Sequence, residues 1–411
     1  MKTPLRVAIV SRAVFPIHGT GGLERSVYDL ARHLADRDVA VTLITRTPGQ
    51  PVDQGIHPAV SLHFVPYRTF PLAGRRGTTV VDRSTAYPLF GLRAGGVAAD
   101  MVARGEIDIV HGFGASVLGY ARRRGALKAP LVLNPQGLEE FGATDPSRAR
   151  LKRLAYLPLR RAVLLCAKRA DAVIATDRSL EPVVKAHLRL PDAKIRTIPN
   201  ALDLAALDAI AGPADAAARR FADETILLSV GRLEENKGFH VLAAALGALQ
   251  ERSTPLRPGS WRWVIAGTGP FRGRLERAVA DSGIASSVHF LGRITDRELH
   301  GWYDAADLFV HPTLYEGSSL VTLEAMAHRR ACIVTRAGGL PDKVTDGVNG
   351  WIVEPGDASA LAAAISGALS DPGRLAAMGQ AGRAIVERDF SWTVAADQTL
   401  RLYADLLSRG E

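Results

Sequence analysis

Apolar and polar residues follow one another along this chain in the pattern of an α/β protein. Short apolar runs bounded by polar or glycine-containing segments predict strands buried on both faces of a parallel sheet. Between them, apolar residues recur every three or four positions, as on one face of a helix; the first such helix is predicted at 23–36. In the first half the predicted strands are LRVAIVSR (5–12), VAVTLIT (39–45), VSLHFVP (60–66), IDIVHGF (107–113), PLVLNPQG (130–137), ADAVIATD (170–177) and KIRTIPN (194–200).

A second strand–helix series follows an Ala/Asp-rich segment at 201–222, which predicts a helix near a domain boundary. Its strands are predicted at TILLSVGR (225–232), WRWVIAGTG (261–269), SVHFLGR (287–293), DLFVHPT (307–313), RACIVTR (330–336) and GWIVEPG (350–356). Two βαβ series predict two doubly wound, Rossmann-like domains, 1–200 and 201–392, facing each other across a cleft. Segment 67–90 is rich in Arg, Gly, Thr and Pro and predicts a long surface loop.

Composition narrows the class of protein. A length of 411 residues with 47% apolar and 23% charged residues is that of a globular protein with two or three domains. No apolar run reaches the roughly 18 residues needed to cross a bilayer, and the N-terminus predicts a first strand rather than a signal peptide. Cys166 and Cys332 lack the spacing of a disulfide framework or zinc site. They fit a reducing compartment, so a cytoplasmic location is expected.

The net charge of +9 is concentrated in one part of the chain. Residues 121–170 contain twelve Lys and Arg against three acidic residues, so their excess of nine equals that of the whole chain. Such a concentration suits an anionic partner, either an acceptor or a membrane surface reached through a basic helical segment at 147–169. A solvated helix face explains the same pattern, and both interpretations stay open.

The segment 311–328, HPTLYEGSSLVTLEAMAH, predicts a strand end, a Gly/Ser loop and a helix capped by Ser318 or Ser319. The free amide groups and the dipole of a helix N-terminus bind phosphate. Glu316 and Glu324 frame the loop and suggest a glycosidase pair. Retaining glycosidases, however, need carboxyl groups about 5 Å apart, and residues eight apart that are partly helical project too far from each other. Two separate binding carboxylates, each for hydroxyls of a different sugar ring, are therefore expected.

Two loops carry candidate phosphate ligands. In GRLEENKG (231–238), Arg232 offers a planar fork and Lys237 a compact charge, which together suit a diphosphate. The alternative is a polar loop with solvent-facing bases. The loop that ends at Gly21 and Gly22 would let a pyrophosphate approach the backbone closely, or is a plain strand-to-helix turn. This loop lacks the full GxGxxG spacing, which makes NAD unlikely, although Arg46 after the second strand leaves NADP open.

His111 is predicted to follow directly on a buried strand. A ligand of a doubly wound sheet binds at the carboxyl ends of its strands, so His111 is either a site residue or a structural histidine. The same argument applies more weakly to Asn134, Asn200 and His311.

Taken together, these motifs closely resemble the GT-B glycosyltransferases of the large retaining family 4. The resemblance extends over nearly the whole chain, and its last four segments are highly specific in that order. It is carried by GTGGLERSVYDLARHL, DIVHGFG, ADAVIATD, KIRTIPNALD, SVGRLEENKG, VIAGTGP, VHFLGRI, LYEGSSLVTLEAMA and AGGLPDKVTDGVNGWIVEPGD.

The resemblance implies a role for each candidate residue. Arg232 and Lys237 would bind the donor diphosphate, Glu316 the transferred sugar and Glu324 the ribose hydroxyls. Gly21 and Gly22 would contact the donor phosphates, and His111 the sugar. The backbone of Arg293 and Ile294 would meet the base. The loop and helix start would also contact the donor, through Gly317, Ser318, Ser319 and Leu320. The C-terminal segment 393–411 would pack back on the first domain.

The implied activity is a retaining hexosyl transfer from a UDP- or GDP-linked sugar to a lipid, glycan or small-molecule acceptor, as in cell-envelope glycan or glycolipid synthesis. No metal, cofactor or nucleic acid is implied, because cationic side chains and a helix dipole would stabilise the leaving diphosphate. The alternatives are a non-catalytic GT-B partner subunit and a GT-B phosphorylase or epimerase. The chain departs from the family pattern at two places. Ser318-Ser319 stands where Phe-Gly is frequent and bears on sugar choice, and Asp342 stands where Glu is common and is too short to imply the same contact.

Overall fold

The computed structural model describes residues 4–19, 21–49, 56–69, 78–135, 138, 141, 154–210, 221, 224–251, 256 and 259–409. The chain divides into two compact units. The first comprises Met1–Asn200 with Trp392–Glu411, and the second comprises Ala201–Ser391. Each unit contains one wholly parallel sheet with helices packed on it. The predicted α/β class with two doubly wound, Rossmann-like sheets is confirmed.

The sheet of the first unit has the strand order β3-β2-β1-β4-β5-β6-β7. Its strands are β1 (Arg6–Val10), β2 (Ala40–Arg46), β3 (Val60–Val65), β4 (Ile109–Phe113), β5 (Leu131–Asn134), β6 (Ala172–Ala175) and β7 (Ile195–Thr197). The predicted strands are all present, shortened at their polar ends. The order reverses between β1 and β4, and the crevice at such a switch point is where doubly wound sheets bind ligands.

Helices cover both faces of this sheet. They are α1 (Gly22–Ala35), α2 (Thr78–Ala103), α3 (Leu118–Arg123), α4 (Leu157–Arg169) and α5 (Glu181–Leu188). Helix α1 forms because its apolar residues share one face, and Val27, Leu30, Ala31 and Leu34 are buried there. Helix α4 is the described part of the predicted basic helix; residues 147–153 lie outside the described residues.

The predicted surface loop at 67–90 is wrong over its second half, which forms the start of α2. Thr78, Thr79 and Pro88, which gave this half its loop-like composition, lie inside the helix, and Gly91 just beyond the segment is a packing position. A Cβ at Gly91 would lie 1.9 Å from the carbonyl oxygen of Ala115, so only glycine lets the two backbones approach. Phe90, Ala94 and Ala98 bury the same side of α2 in the core. Residues 70–77 lie outside the described residues.

The C-terminal helix α13 (Trp392–Ser408) belongs to the first unit. It packs against α1, where Arg37 donates to the Asp397 carboxylate at 2.7 Å and the ring of His33 stacks on Trp392. Tyr403, fully buried on this helix, reaches into the sheet.

The sheet of the second unit has the order β10-β9-β8-β11-β12-β13. Its strands are β8 (Thr225–Val230), β9 (Trp261–Ala266), β10 (Val288–Gly292), β11 (Leu308–His311), β12 (Ala331–Thr335) and β13 (Gly350–Val353). Its helices are α6 (Leu204–Ile210), α7 (Phe239–Glu251), α8 (Arg272–Asp281), α9 (Asp296–Ala305), α10 (Leu320–Ala327), α11 (Ala358–Leu369) and α12 (Pro372–Asp389). All six predicted strands are again present, and the switch point lies between β8 and β11. Helix α6 is the described part of the helix predicted in 201–222, and residues 211–220 lie outside the described residues.

Within the described part of the chain, no helix is both long enough and apolar enough to span a bilayer.

Candidate functional site

The loops that follow β8 and β11 lie side by side at the switch point of the second sheet. Helix α7 begins after Gly238, and a Cβ at this residue would lie 1.9 Å from the carbonyl oxygen of Pro312. Gly238 also has a φ of +67°, in the left-handed region that favours glycine. Thr313 donates its hydroxyl to the Asn236 carbonyl at 3.0 Å, and the Leu314 amide donates to the same oxygen at 2.7 Å. These contacts hold the two loops together.

This junction brings Lys237 and Glu316 into contact, although they are 79 residues apart. Lys237 Nζ lies 2.7 Å from Glu316 Oε2, and the side chains are 16% and 13% exposed. Low exposure matters because an ion pair at the surface contributes little, whereas a largely buried pair interacts strongly. Two residues predicted from separate motifs therefore form one charged unit.

His311, the last residue of β11, completes this unit. Its Nε2 lies 2.8 Å from Glu316 Oε2, and its ring is 1% exposed. Burial lowers the pKa of His311, and the hydrogen bond to Glu316 offsets this only partly. The neutral imidazole thus donates its Nε2 hydrogen to the carboxylate. Burial also opposes ionisation of Glu316, but the hydrogen bond from His311 and the charge of Lys237 outweigh it and hold the pKa of this carboxyl well below its usual range.

The loop between Glu316 and helix α10 is ordered by its own cap. Ser319 is the N-cap residue, as predicted, and its Oγ accepts from the Thr322 amide at 3.4 Å. Ser318 accepts a hydrogen bond from Lys343 Nζ at 3.2 Å, and the same ammonium group donates to the Gly339 carbonyl at 3.2 Å. Lys343 is 1% exposed. Sequence reasoning missed it, because its chain position gives no sign that it is buried beneath the loop.

Glu324 serves a different partner from Glu316. Its Oε2 accepts the hydroxyl hydrogen of Tyr303 at 2.9 Å. Burial and the neighbouring Glu324 carboxylate raise the pKa of Tyr303 well above its usual value, so the phenol stays protonated and donates. The different partners agree with the expectation of two carboxylates with separate tasks.

The other predicted donor-binding residues of the second unit are more exposed. Arg232 follows β8, its side chain is 76% exposed, and it pairs with Glu234 at 2.6 Å. This pair leaves most of the guanidinium accessible to solvent. Arg293 is exposed and Ile294 half-buried in the loop between β10 and α9, next to the Thr295 cap of α9.

In the first unit, Gly21 caps α1 through its backbone and Gly22 is the first residue of that helix. Preceding them, His18 receives the Val14 amide hydrogen at its Nδ1 (3.2 Å) and lies 2.8 Å from the Arg46 carbonyl through Nε2. The glycine-containing turn is thereby tied to the end of β2.

His111 is not positioned as predicted. It lies inside β4, two residues before its end, and is 2% exposed. Its Nδ1 lies 2.7 Å from the Tyr403 hydroxyl, while its Nε2 is buried without a hydrogen-bond partner. His111 lines a pocket of about 30 Å³ together with Asn134, Asn200 and Trp392, room for one or two waters. The sequence could not show where along β4 His111 lies, because apolar residues continue on both sides of it.

The buried His111 predicts a pH dependence of stability. Burial lowers its pKa to about 3 in the folded protein, against about 6.5 in an unfolded chain. Between these values only the unfolded state binds the proton, so stability decreases as the pH falls from 6.5 towards 3. Roughly 2 kcal/mol of stability attributable to this residue is lost between pH 7 and pH 5. Urea unfolding at both pH values measures it, and His111→Gln is expected to show a smaller difference. An equal difference in the variant would contradict the assignment.

Comparisons with known proteins identify the family of this chain. Residues 20–206 match the family model described as Glycosyltransferase Family 4, and residues 224–371 match that described as Glycosyl transferases group 1. The chain belongs to the GT-B glycosyltransferases of group 1, family 4. This glycosyltransferase is 28% identical over 435 residues to D-inositol 3-phosphate glycosyltransferase 2 of Catenulispora acidiphila, an alignment that covers 98% of this chain and 95% of that protein.

Solved structures share the fold of this glycosyltransferase. Sucrose-phosphate synthase from Thermosynechococcus elongatus has a TM-score of 0.76 at 24% identity, covering 98% of this chain and all of that one. Anabaena HepE, solved in complex with UDP, has a TM-score of 0.71 at 17% identity with the same coverage. At these identities the likeness establishes the fold alone. The predicted membership of the family and the glycosyltransferase class are confirmed, while hexosyl transfer, retention of configuration and metal independence stay predictions.

Proposed function

We propose that this glycosyltransferase moves a hexose from a nucleotide-diphosphate sugar to a hydroxyl of a glycan, lipid or small-molecule acceptor, with retention of configuration at C1. The observation that supports the donor site most directly is the buried Lys237–Glu316 pair with its hydrogen bond from His311. It presents a cation and an ionised carboxylate at the switch point of a doubly wound sheet, where such folds bind nucleotides. The UDP bound to HepE supports the same choice of donor.

In the proposed reaction, the bond from C1 to the diphosphate oxygen breaks while the acceptor hydroxyl attacks the same face. Lys237 and Arg232 stabilise the negative charge that develops on the leaving diphosphate, together with the backbone amides at the start of α10. Glu316 accepts hydrogen bonds from hydroxyls of the transferred sugar and Glu324 from those of the ribose. The acceptor loses its proton, and the departing phosphate oxygen is a base positioned on the same face to take it. Gly21 and Gly22 of the first unit are proposed to contact the donor, whereas the buried position of His111 inside β4 gives it no such contact.

These cations perform the task that Mg²⁺ performs in other phosphoryl and glycosyl transfers, so we propose that the reaction needs no metal. The rate of transfer is then expected to stay unchanged in an excess of EDTA. Addition of Mg²⁺ or Mn²⁺ after exhaustive chelation is the matched control. A rate that falls with EDTA and returns with the metal would contradict metal independence.

Arg232→Ala and Glu316→Ala test the assignment of the site. Each is expected to lower the rate of transfer from UDP- or GDP-linked hexoses by about 10- to 1000-fold, because each removes charge or hydrogen bonding used in the transition state. Product anomers identified by NMR report retention or inversion. Activity near wild type in both variants would reject the site. Absence of hydrolysis and transfer in the wild type would favour the non-catalytic alternative, and release that requires inorganic phosphate would favour a phosphorylase.

We also propose a contact with anionic membranes through α4, which would place a cytoplasmic enzyme on the inner face of the membrane. Leu157, Arg161 and Lys168 are exposed on this helix, and Leu154 just before it is 72% exposed. An apolar strip flanked by cations fits the interface of an anionic bilayer. Flotation with vesicles containing anionic lipid is expected to carry the protein at low salt. Leu154→Ser should weaken it, whereas Ile210→Ser in the second unit, another exposed apolar change, should not. No flotation of the wild type rejects the contact.

A further inference from the structure

Two arginines stand next to each other at the carboxyl edge of the first sheet. Strands β1 and β2 are adjacent and parallel, with Val10 opposite Ile44. The pairing continues past the end of β1, where the Ser11 amide donates to the Ile44 carbonyl at 3.0 Å. The same register places Arg12, two residues after β1, opposite Arg46, the last residue of β2.

Each guanidinium lies over an aromatic ring. Arg12 is 5.0 Å from the ring centroid of Tyr87, and Arg46 is 5.6 Å from that of Tyr67. The Tyr87 hydroxyl donates to the Phe113 carbonyl, at the end of β4, at 2.9 Å. The two arginines and their aromatic supports therefore border the β1/β4 switch point, the crevice in which doubly wound sheets bind ligands.

The Tyr67 ring is itself fixed in place. Its hydroxyl donates to Asp82 Oδ2 at 2.8 Å, and Asp82 is a buried residue of helix α2. A guanidinium that lies over an anchored ring is held in position by its attraction to the ring face.

Within the described residues, no carboxylate makes an ion pair with either arginine, although the more distant charges of Glu24 and Asp82 act to raise the pKa of Arg46. Among the residues that the structure describes, neither Arg12 nor Arg46 has an acidic oxygen within 4.0 Å, whereas many other arginines of the chain do. Both side chains are half-buried, and Arg46 Nε is buried without a hydrogen-bond partner. Burial, followed by the charge of Arg12, lowers the pKa of Arg46. Neighbouring guanidinium groups repel each other in a partly desolvated place, and an anion that bridges them removes that penalty.

We propose that Arg12 and Arg46 bind a phosphate monoester carried by the acceptor substrate. Two guanidinium forks match the three terminal oxygens of such a group, which a neutral hydroxyl-rich acceptor lacks. Arg12 and Arg46 belong to the sheet of the first unit, whereas Lys237 and Glu316 belong to the second unit. The inference rests on the proposed function, because it names the class of acceptor for that reaction. A soluble sugar phosphate and a lipid headgroup both carry such a phosphate, and both have the same chemistry at this site.

Binding of inorganic phosphate to the full chain tests the site directly. Calorimetry at constant ionic strength, with chloride as the balancing anion, is expected to detect phosphate binding that weakens at least tenfold in Arg12→Gln/Arg46→Gln. Arg123→Gln, which removes an exposed arginine of the same unit paired with Asp100 at 2.6 Å, is the matched control and should bind as the wild type does. If the double variant does not fold, Arg12→Lys serves instead. It keeps the charge but loses the fork, and it should weaken binding measurably.

Two further probes separate the sources of the phosphate. Arginine-dependent binding of glucose 6-phosphate identifies a soluble acceptor, and arginine-dependent binding only to vesicles containing phosphatidic acid identifies a lipid acceptor. Phosphate binding that is absent, or equal in the wild type and the variants, overturns the proposal. UDP and GDP binding are measured in the same samples and should be equal in all of them. Failure of the wild type to bind either nucleotide counts against the proposed donor site, independently of the phosphate result.

Discussion

Replacing Lys237 with alanine is expected to reduce the rate of sugar transfer by about 100- to 1000-fold, the range seen when one preorganised transition-state contact is removed. Two effects combine in this variant. The leaving diphosphate loses a cation, and Glu316 loses the partner that lies 2.7 Å from its carboxylate. The pKa of Glu316 then rises, because burial raises it and the charge and hydrogen bond of Lys237 no longer oppose that. Initial rates of transfer measured against donor concentration give kcat and KM separately.

Arg274→Ala is the matched control for this variant. Arg274 forms an ion pair with Glu235 at 3.4 Å, on the same loop as Lys237, but both side chains are more than 60% exposed. A pair of this kind contributes little to stability, so activity is expected to remain at the wild-type level. Equal losses in the two variants would show that the loop as a whole, rather than the buried pair, supports activity.

Replacing Gly238 with alanine is expected to damage both folding and activity. A side chain at a φ of +67° costs about 1–2 kcal/mol, and the Cβ would also lie 1.9 Å from the Pro312 carbonyl oxygen. The β8–α7 loop must then move away from the β11–α10 loop and carry Lys237 with it. A displacement of about 1 Å is enough to lower a catalytic rate about 100-fold. Urea unfolding and the transfer assay measure the two losses.

Gly283→Ala isolates the contribution of the backbone conformation. Gly283 has a φ of +69°, close to that of Gly238, but no atom lies within 4 Å of a Cβ placed there. This variant is expected to lose about 1–2 kcal/mol of stability and to keep its activity. If Gly238→Ala behaves in the same way, the close approach to Pro312 does not hold the site together.

The hydrophobic pattern was sufficient to predict the strands and their division into two series. This succeeded because strands of a parallel sheet are buried on both faces and so appear as continuous apolar runs. It failed over the second half of 67–90, where Thr78, Thr79 and Pro88 belong to the start of α2. Threonine and proline are frequent in loops, and local composition cannot show that they open a helix whose Phe90 and Ala94 pack in the core. Only the packing partners decide between loop and helix.

The candidate site residues also divide into those that local sequence identified and those that only packing revealed. Arg232, Lys237, Glu316 and Glu324 were identified from motif chemistry, since charged residues at strand ends and helix starts are visible in the sequence. The roles of Lys343 and of the Arg12/Arg46 pair were not identified. Arg12 nevertheless follows a strand of the sheet, the kind of position that made His111 a candidate. Each role depends on a neighbour in space, namely Ser318 for Lys343 and the adjacent strand for Arg12.

The sequence by itself determined the α/β class, the order of the elements, the family and the presence of two acidic and two basic candidate site residues. These follow from periodicity and motif spacing, which are properties of residues close together in the chain. The tertiary structure decided which of these groups meet. It joined Lys237, His311 and Glu316 into one buried unit, assigned Glu324 to Tyr303, and set two arginines side by side with no ion pair to a described carboxylate. The strength of a charge depends on its burial and its nearest partner, and both are fixed only when distant segments pack together.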